Sequence, residues 1–163
     1  REQRTLVLLQ TSPASDWEVV LGKYLGAYGF VLVTVLAAFH MPLMVYFKGQ
    51  LQWGQLAAGY LGILLCAGSS VAIGIFASTL APNQILAGVI AGFLVSLQVL
   101  FWLLSGVTDA PLDGVFSYLD LYRRHFAPFQ DGAVHLRTLV YTPSVAFLFL
   151  LASVRVLQAR RWR

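Results

Sequence analysis

Residues 49–108 read GQLQWGQLAAGYLGILLCAGSSVAIGIFASTLAPNQILAGVIAGFLVSLQVLFWLLSGVT, sixty consecutive positions between Lys48 and Asp109 without an Asp, Glu, Lys or Arg. An ordinary soluble domain carries about 25% charged residues, so an uncharged run of this length has only lipid as a plausible solvent. Ala81-Pro82-Asn83-Gln84 divides it, because proline and asparagine punctuate a helical pattern. Crossing the hydrocarbon layer takes about 20 apolar residues, so the run holds two spans, at 56–80 and 85–104.

The same criterion applied outward finds two more. One uncharged window is bounded by Lys23 and Lys48, and another ends at Arg155, whose head group can snorkel to the interface while its stem stays in lipid. The whole chain, 163 residues with 58% hydrophobic and 11% charged, is therefore expected to be one all-α membrane domain, a polytopic bundle of about four transmembrane helices. The helices are placed at 16–47, 56–80, 85–104 and 138–157, with a cytoplasmic segment at 1–15 and an external segment at 105–136.

Ser15-Asp16-Trp17-Glu18 has the serine-x-x-glutamate pattern of a capping box, so a helix should start near Asp16 and run without a break into the first span. Trp17, Tyr24 and Tyr28 are expected near the water boundary, where amphipathic rings are favoured. Before them Thr5 to Gln10 is a short apolar run interrupted at Ser12-Pro13, an elbow that presents Leu6 and Leu9 to a cytoplasmic partner. Between the last two spans Leu112, Val115, Phe116, Leu119 and Phe126 fall at helical spacing among charges, which predicts an amphipathic helix from about Leu112 to His125, at the outer interface and ending near Pro128. Pro42 and Pro143 are expected to kink their helices. Gly22, Gly26 and Gly29, and Gly88 and Gly92, have the spacing that lets membrane helices approach closely.

Seven Lys and Arg residues fall on the side that holds both termini and the Pro82 loop, against four on the other. The positive-inside rule then places both termini in the cytoplasm. Basic residues sit at the ends of apolar segments and not on a folded basic face, so the net charge of +4 does not point to nucleic acid.

Catalytic machinery is missing from the pattern. No carboxylate lies inside a span, and Ser69, Ser70, Ser78, Ser96 and Ser144 belong to a class of hydroxyl that commonly bonds its own helix backbone. His40 and Met44 lie at i and i+4, two ligands where a soft metal ion needs more, so packing or a buried hydrogen bond is the expected role of His40. The lone Cys66 can build neither a disulfide framework nor a cysteine zinc site. Gly22-Lys23 lacks the earlier glycine and following hydroxyl of a phosphate-binding loop, so no cofactor or metal is expected and any ATP must be hydrolysed on another chain.

Thr11-Ser12-Pro13, Ser15 to Glu18, Leu21-Gly22-Lys23, Gly74-Ile75-Phe76-Ala77-Ser78 with Asn83-Gln84, and the ending from Val154 to Trp162 together resemble the permease subunits of type II ABC exporters. The likeness is greatest to the branch with the gliding-motility and nitrous-oxide-reductase maturation permeases, and it covers nearly the whole chain. It implies a bacterial cytoplasmic-membrane permease of six helices, so this chain, which opens on Arg1 and not on Met, is expected to hold the last four. It implies two partners, a cytoplasmic ABC ATPase and a second permease copy or paralogue, besides the membrane lipid.

Residues 1–15 would then be the coupling helix, and Leu6, Leu9, Thr11, Ser12, Pro13, Asp16, Trp17, Glu18 and Lys23 its coupling positions. Arg4 and Val7 depart from the pattern, which has glycine and glutamate there. Thr34, His40, Ser69, Ser70, Ser96 and Gln98 are the interior polar candidates of the spans and hence the candidate transport path. Such weakly polar spans suit an apolar or lipid-like cargo, and suit equally a membrane scaffold that anchors an ATPase-linked complex without transporting anything.

Overall fold

The computed structural model describes residues 15–47, 52–105 and 126–161. The expected coupling residues Leu6, Leu9, Thr11, Ser12 and Pro13, and the expected amphipathic helix from Leu112 to His125, lie outside the described residues. The elements are α1 (Asp16–Ala37), α2 (His40–Tyr46), α3 (Trp53–Leu80), α4 (Gln84–Ser105), α5 (Ala127–Gln130) and α6 (Leu136–Arg161). All are helices, and no strand occurs among the described residues.

α1 begins where its sequence dictates. The Ser15 hydroxyl accepts from the Glu18 N–H at 3.4 Å, and the Ser15 N–H donates to Glu18 Oε2 at 2.8 Å, a complete capping box. The helix is not continuous through the span, however. Pro42 has no N–H to offer the carbonyl four residues back, and its ring crowds that carbonyl. The owner is Ala38, and the chain tightens there: the Phe39 N–H donates to the Leu36 carbonyl and the Met41 N–H to the Ala38 carbonyl, both at 3.1 Å. The Ala37 carbonyl, which loses Met41 as a donor by this shift, is met by His40 Nδ1 at 2.7 Å. The break therefore falls at Ala38 and Phe39, and α1 and α2 together make an apolar span of 31 residues. Pro143, by contrast, sits within an unbroken α6.

α3 and α6 are also long and apolar enough to cross a membrane. α4 is a 22-residue helix whose first part, Gln84–Gln98, is apolar. It starts at Asn83, whose Oδ1 accepts from the Leu86 N–H at 2.8 Å, just after Ala81 has turned extended as the residue before a proline must.

α3 is the hub, in contact with α6, α4, α1 and α5. Its buried positions include Ala58, Gly62, Ser69 and Ala72, at spacings of four, seven and three, so small side chains recur along the packed face of the helix, between larger ones such as Ile73 and Ile75. In lipid no hydrophobic drive pulls helices together, and close van der Waals approach along small residues does much of the work. α6 meets that face with Thr138, Thr142, Ala146, Leu150 and Val154, one ridge at a spacing of four. The central cluster joins Val20 of α1, Ala72 and Ile75 of α3, and Ala146, Leu150 and Val154 of α6. The start of α1 and the ends of α3 and α6 thus lie on the same side of the bundle.

The other end is closed by α5. Its Phe129, 1% exposed, rests against Gly62, and Gln55 Nε2 donates to the Gln130 carbonyl at 2.6 Å. α5 ends in a Schellman motif: the Ala133 N–H donates to the Pro128 carbonyl and the Gly132 N–H to the Phe129 carbonyl, with Gly132 at φ +81.

Among the described residues of the single chain, a Cβ on Gly22, Gly26, Gly29, Gly88 or Gly92 would meet nothing within 4 Å, whereas Gly62 and Gly68 are where neighbouring helices come close. A Cβ at Gly62 would lie 2.9 Å from Phe129 Cβ, the stem and not the tip of that side chain. Gly62→Ala is therefore expected to destabilise the protein by about 1–3 kcal/mol through overpacking. Gly59→Ala, one position with open space around it, should be neutral or stabilising through helix propensity. Thermal unfolding of both variants in detergent checks the contrast, and equal effects would remove the Phe129 contact from the account.

Candidate transport site

Between α1, α3 and α6 lies a cavity of about 290 Å³. Leu64 and Leu65 of α3 and Pro143, Ala146, Phe147 and Leu150 of α6 supply its apolar walls. Tyr24, Tyr28, Ser69 and Thr142 supply its polar atoms.

Almost all of that polarity is already committed to the helices. Ser69 Oγ–H donates to the Cys66 carbonyl at 2.8 Å, and Thr142 Oγ1–H donates to the Thr138 carbonyl at 3.0 Å. Tyr28 Oη–H crosses from α1 to the Leu64 carbonyl of α3 at 3.2 Å. The Tyr24 ring stacks on Tyr28 with centroids 5.7 Å apart, and its hydroxyl stands over Gly68, 3.1 Å from where a Cβ would be. Gly68 thus makes room for both tyrosines.

Tyr24 and Tyr28, expected near the water boundary, face the neighbouring helices, where both line the cavity. Their i, i+4 spacing was the available signal that both lie on one face of α1, but nothing in the spacing says which way that face points. Trp17 also faces the bundle, stacking on Phe147 at 6.2 Å and packing against the central cluster.

The polar residues singled out along the spans are not gathered in one place. Ser69 lines the cavity and is fully buried, while Ser70 is half-buried and donates to the Cys66 carbonyl at 3.0 Å. Thr34, His40 and Ser96 are exposed on the bundle surface, and Thr34 donates to the Phe30 carbonyl of its own helix. Gln98 is half-buried on α4, with a buried Oε1 that has no hydrogen-bond partner. The other hydroxyls, Thr79, Ser144 and Ser153, likewise donate to carbonyls three or four residues back. No group of three potential metal ligands occurs among the described residues.

At the end where α1 begins, Lys23 borders a small gap of about 30 Å³ beside Val19, Ile75, Ser78 and Leu157. Arg160 donates from Nη2 to the Leu80 carbonyl at 3.1 Å, satisfying one of the orphan acceptors at the end of α3 with a cation. Arg160 thus has a structural partner as well as a place in the basic tail. Of the expected coupling residues within the described residues, Asp16 lies in the first turn of α1, Glu18 is held in the cap, Trp17 is held against α6, and Lys23 is exposed.

A family profile described as ABC-2 family transporter protein matches residues 1–161. The chain belongs to the ABC-2 transporter family. Comparison with curated proteins and with solved structures returned no match. As an ABC-2 protein the chain is a multi-pass permease component of an ABC transporter, a kind of subunit that is not itself catalytic, and the family implies association with an ABC ATPase and a dimeric arrangement. In this ABC-2 chain the cavity and the α1 start are linked by the same three helices.

Tyr28→Phe removes an interhelical hydrogen bond in the cavity wall and is expected to lower stability by about 0.6 kcal/mol, the mean for side-chain bonds between membrane helices. Ser69→Ala removes a bond within a single helix turn and should change stability by less than about 0.5 kcal/mol. Unfolding of the two variants in mixed micelles tests this order, and a larger loss for Ser69→Ala would reverse it.

Proposed function

We propose that this chain is the membrane half of an ABC exporter, of the branch that includes the gliding-motility and nitrous-oxide-reductase maturation permeases. It pairs with a second permease copy or paralogue in the bacterial cytoplasmic membrane and moves its cargo outward with energy from a separate ATPase. Both ends of the chain and the Pro82 loop face the cytoplasm in this reading. Residues 1–15 are the coupling segment, and Leu6, Leu9, Thr11, Ser12, Pro13, Asp16, Trp17, Glu18 and Lys23 form or support the ATPase contact. The outward path runs along the cavity at Ser69, with Thr34, His40, Ser70, Ser96 and Gln98 serving surfaces away from it.

One observation carries the coupling argument. Val20, one helical turn into α1, is 1% exposed in a cluster with Ile75 of α3 and Val154 of α6, and Trp17 stacks on Phe147 of the cavity wall. A displacement of the segment before Ser15 must move α1, and α1 cannot move without disturbing the two helices that enclose the cavity. Close-packed contacts switch between discrete arrangements and do not deform continuously.

Leu6 and Leu9 give the coupling segment its apolar surface, and full burial of each contributes about 1.5–3 kcal/mol before the ordering costs of association. Replacing both by Asp is expected to abolish capture of the cognate ATPase by the full-length permease while leaving membrane insertion intact, because neither residue lies in a span. Capture that survives the double change would end the coupling role. In the same membranes a Cys at position 160 should react with impermeant reagent only from the cytoplasmic side, and reaction from outside would invert the orientation.

A further inference from the structure

We infer that the cavity between α1, α3 and α6 takes one uncharged hydrocarbon chain of a membrane lipid, drawn in sideways past Phe147, with the Tyr24 hydroxyl meeting the chain's single polar group. Naming that chain as the cargo rests on the permease reading above; the occupancy itself rests on the cavity.

The chemistry of the walls selects the ligand. Among the described residues no Asp, Glu, Lys, Arg or His lines the cavity, so a charged group would enter it without a counter-ion from them, at the full cost of desolvation. Ser69, Thr142 and Tyr28 have spent their hydrogens on backbone carbonyls, so they offer an incoming molecule no donor. Tyr24 is different: its hydroxyl reaches over Gly68 into the cavity, where a glycine leaves space for it. One donor in an otherwise committed wall fits a long apolar molecule with one acceptor.

Size and depth agree. At about 290 Å³ the cavity is roughly twice the size of an engineered 150 Å³ cavity that binds benzene, which suits a stretch of chain and excludes a headgroup with its chains. Tyr24 lies about two helical turns beyond the capped start of α1 and within the apolar span, so its hydroxyl is set to meet the chain side of an ester linkage and not a phosphate. Phe147 and Pro143 line the cavity yet are exposed, Phe147 at 57%, so the wall they form is open to the outside of the chain and gives a lipid chain its sideways entry.

The test uses the full chain assembled with its ATPase in liposomes containing one of two probes: a phosphatidylcholine with a diazirine in one acyl chain, or a diazirine alkane with no acceptor. Irradiation without nucleotide is expected to label Leu65, Ala146 and Leu150 with either probe, and peptide mapping locates the adducts. Tyr24→Phe, which keeps the ring, should reduce cavity labelling by the ester probe about threefold and leave labelling by the alkane unchanged. ATP should lower cavity labelling by the phosphatidylcholine. Adducts confined to outward-facing residues such as Phe30, Val33 and Leu36 would overturn the site, and so would equal loss of both probes in Tyr24→Phe. Cavity labelling that ATP leaves unchanged would overturn the assignment of the chain as cargo. Because ATPase capture is measured separately, failure of the site with capture intact leaves the permease reading standing.

Discussion

Helices in lipid can touch closely only where their side chains are small, and in this protein that condition is met along one face of α3. Ala58, Gly62, Gly68, Ser69 and Ala72 let α5, α1 and α6 approach, and each approach has a matching large group: Phe129 against Gly62, the two stacked tyrosines against Gly68, and the ridge of α6 along the rest. The cavity is a consequence of the same arrangement, since it opens where Gly68 and Ser69 leave more room than the tyrosines fill.

Membrane character was legible in the sequence because an uncharged run of sixty residues has only one compatible solvent. Local rules also transferred directly. The serine-x-x-glutamate start of α1, the asparagine start of α4 and the self-bonding of serine and threonine hydroxyls depend on residues within one helical turn, so neighbours in sequence were enough to read them. The proline effect was legible in kind but not in place: Pro42 acts on the carbonyl four residues earlier, so the break appears at Ala38 and Phe39, and His40 serves to satisfy a carbonyl there.

What depended on the facing of helices was not legible. Gly22-x-x-x-Gly26 and Gly62 look alike in sequence, but only a partner decides which one is a contact, and that partner, Phe129, lies 67 positions further on. The facing of Tyr24 and Tyr28 has the same origin, since an aromatic pair one helical turn apart serves a water boundary or a bundle interior equally well. Arg160 likewise reads in sequence as a topology signal alone, and only the fold adds its bond to the Leu80 carbonyl at 3.1 Å. Of the polar residues scattered along the spans, Ser69 lines the cavity and the other five lie elsewhere, a distribution that sequence spacing alone does not reveal.

The central claim is that α1, α3 and α6 form a switch driven from the side where α1 begins, and its rival is a rigid scaffold. The most direct measurement is the distance distribution between nitroxide labels at Leu21 on α1 and Leu80 at the end of α3, both partly exposed at that side, recorded by pulsed electron resonance in the assembled transporter with and without ATP. The account predicts two distance populations whose proportions ATP exchanges. A single distribution unchanged by nucleotide would contradict it.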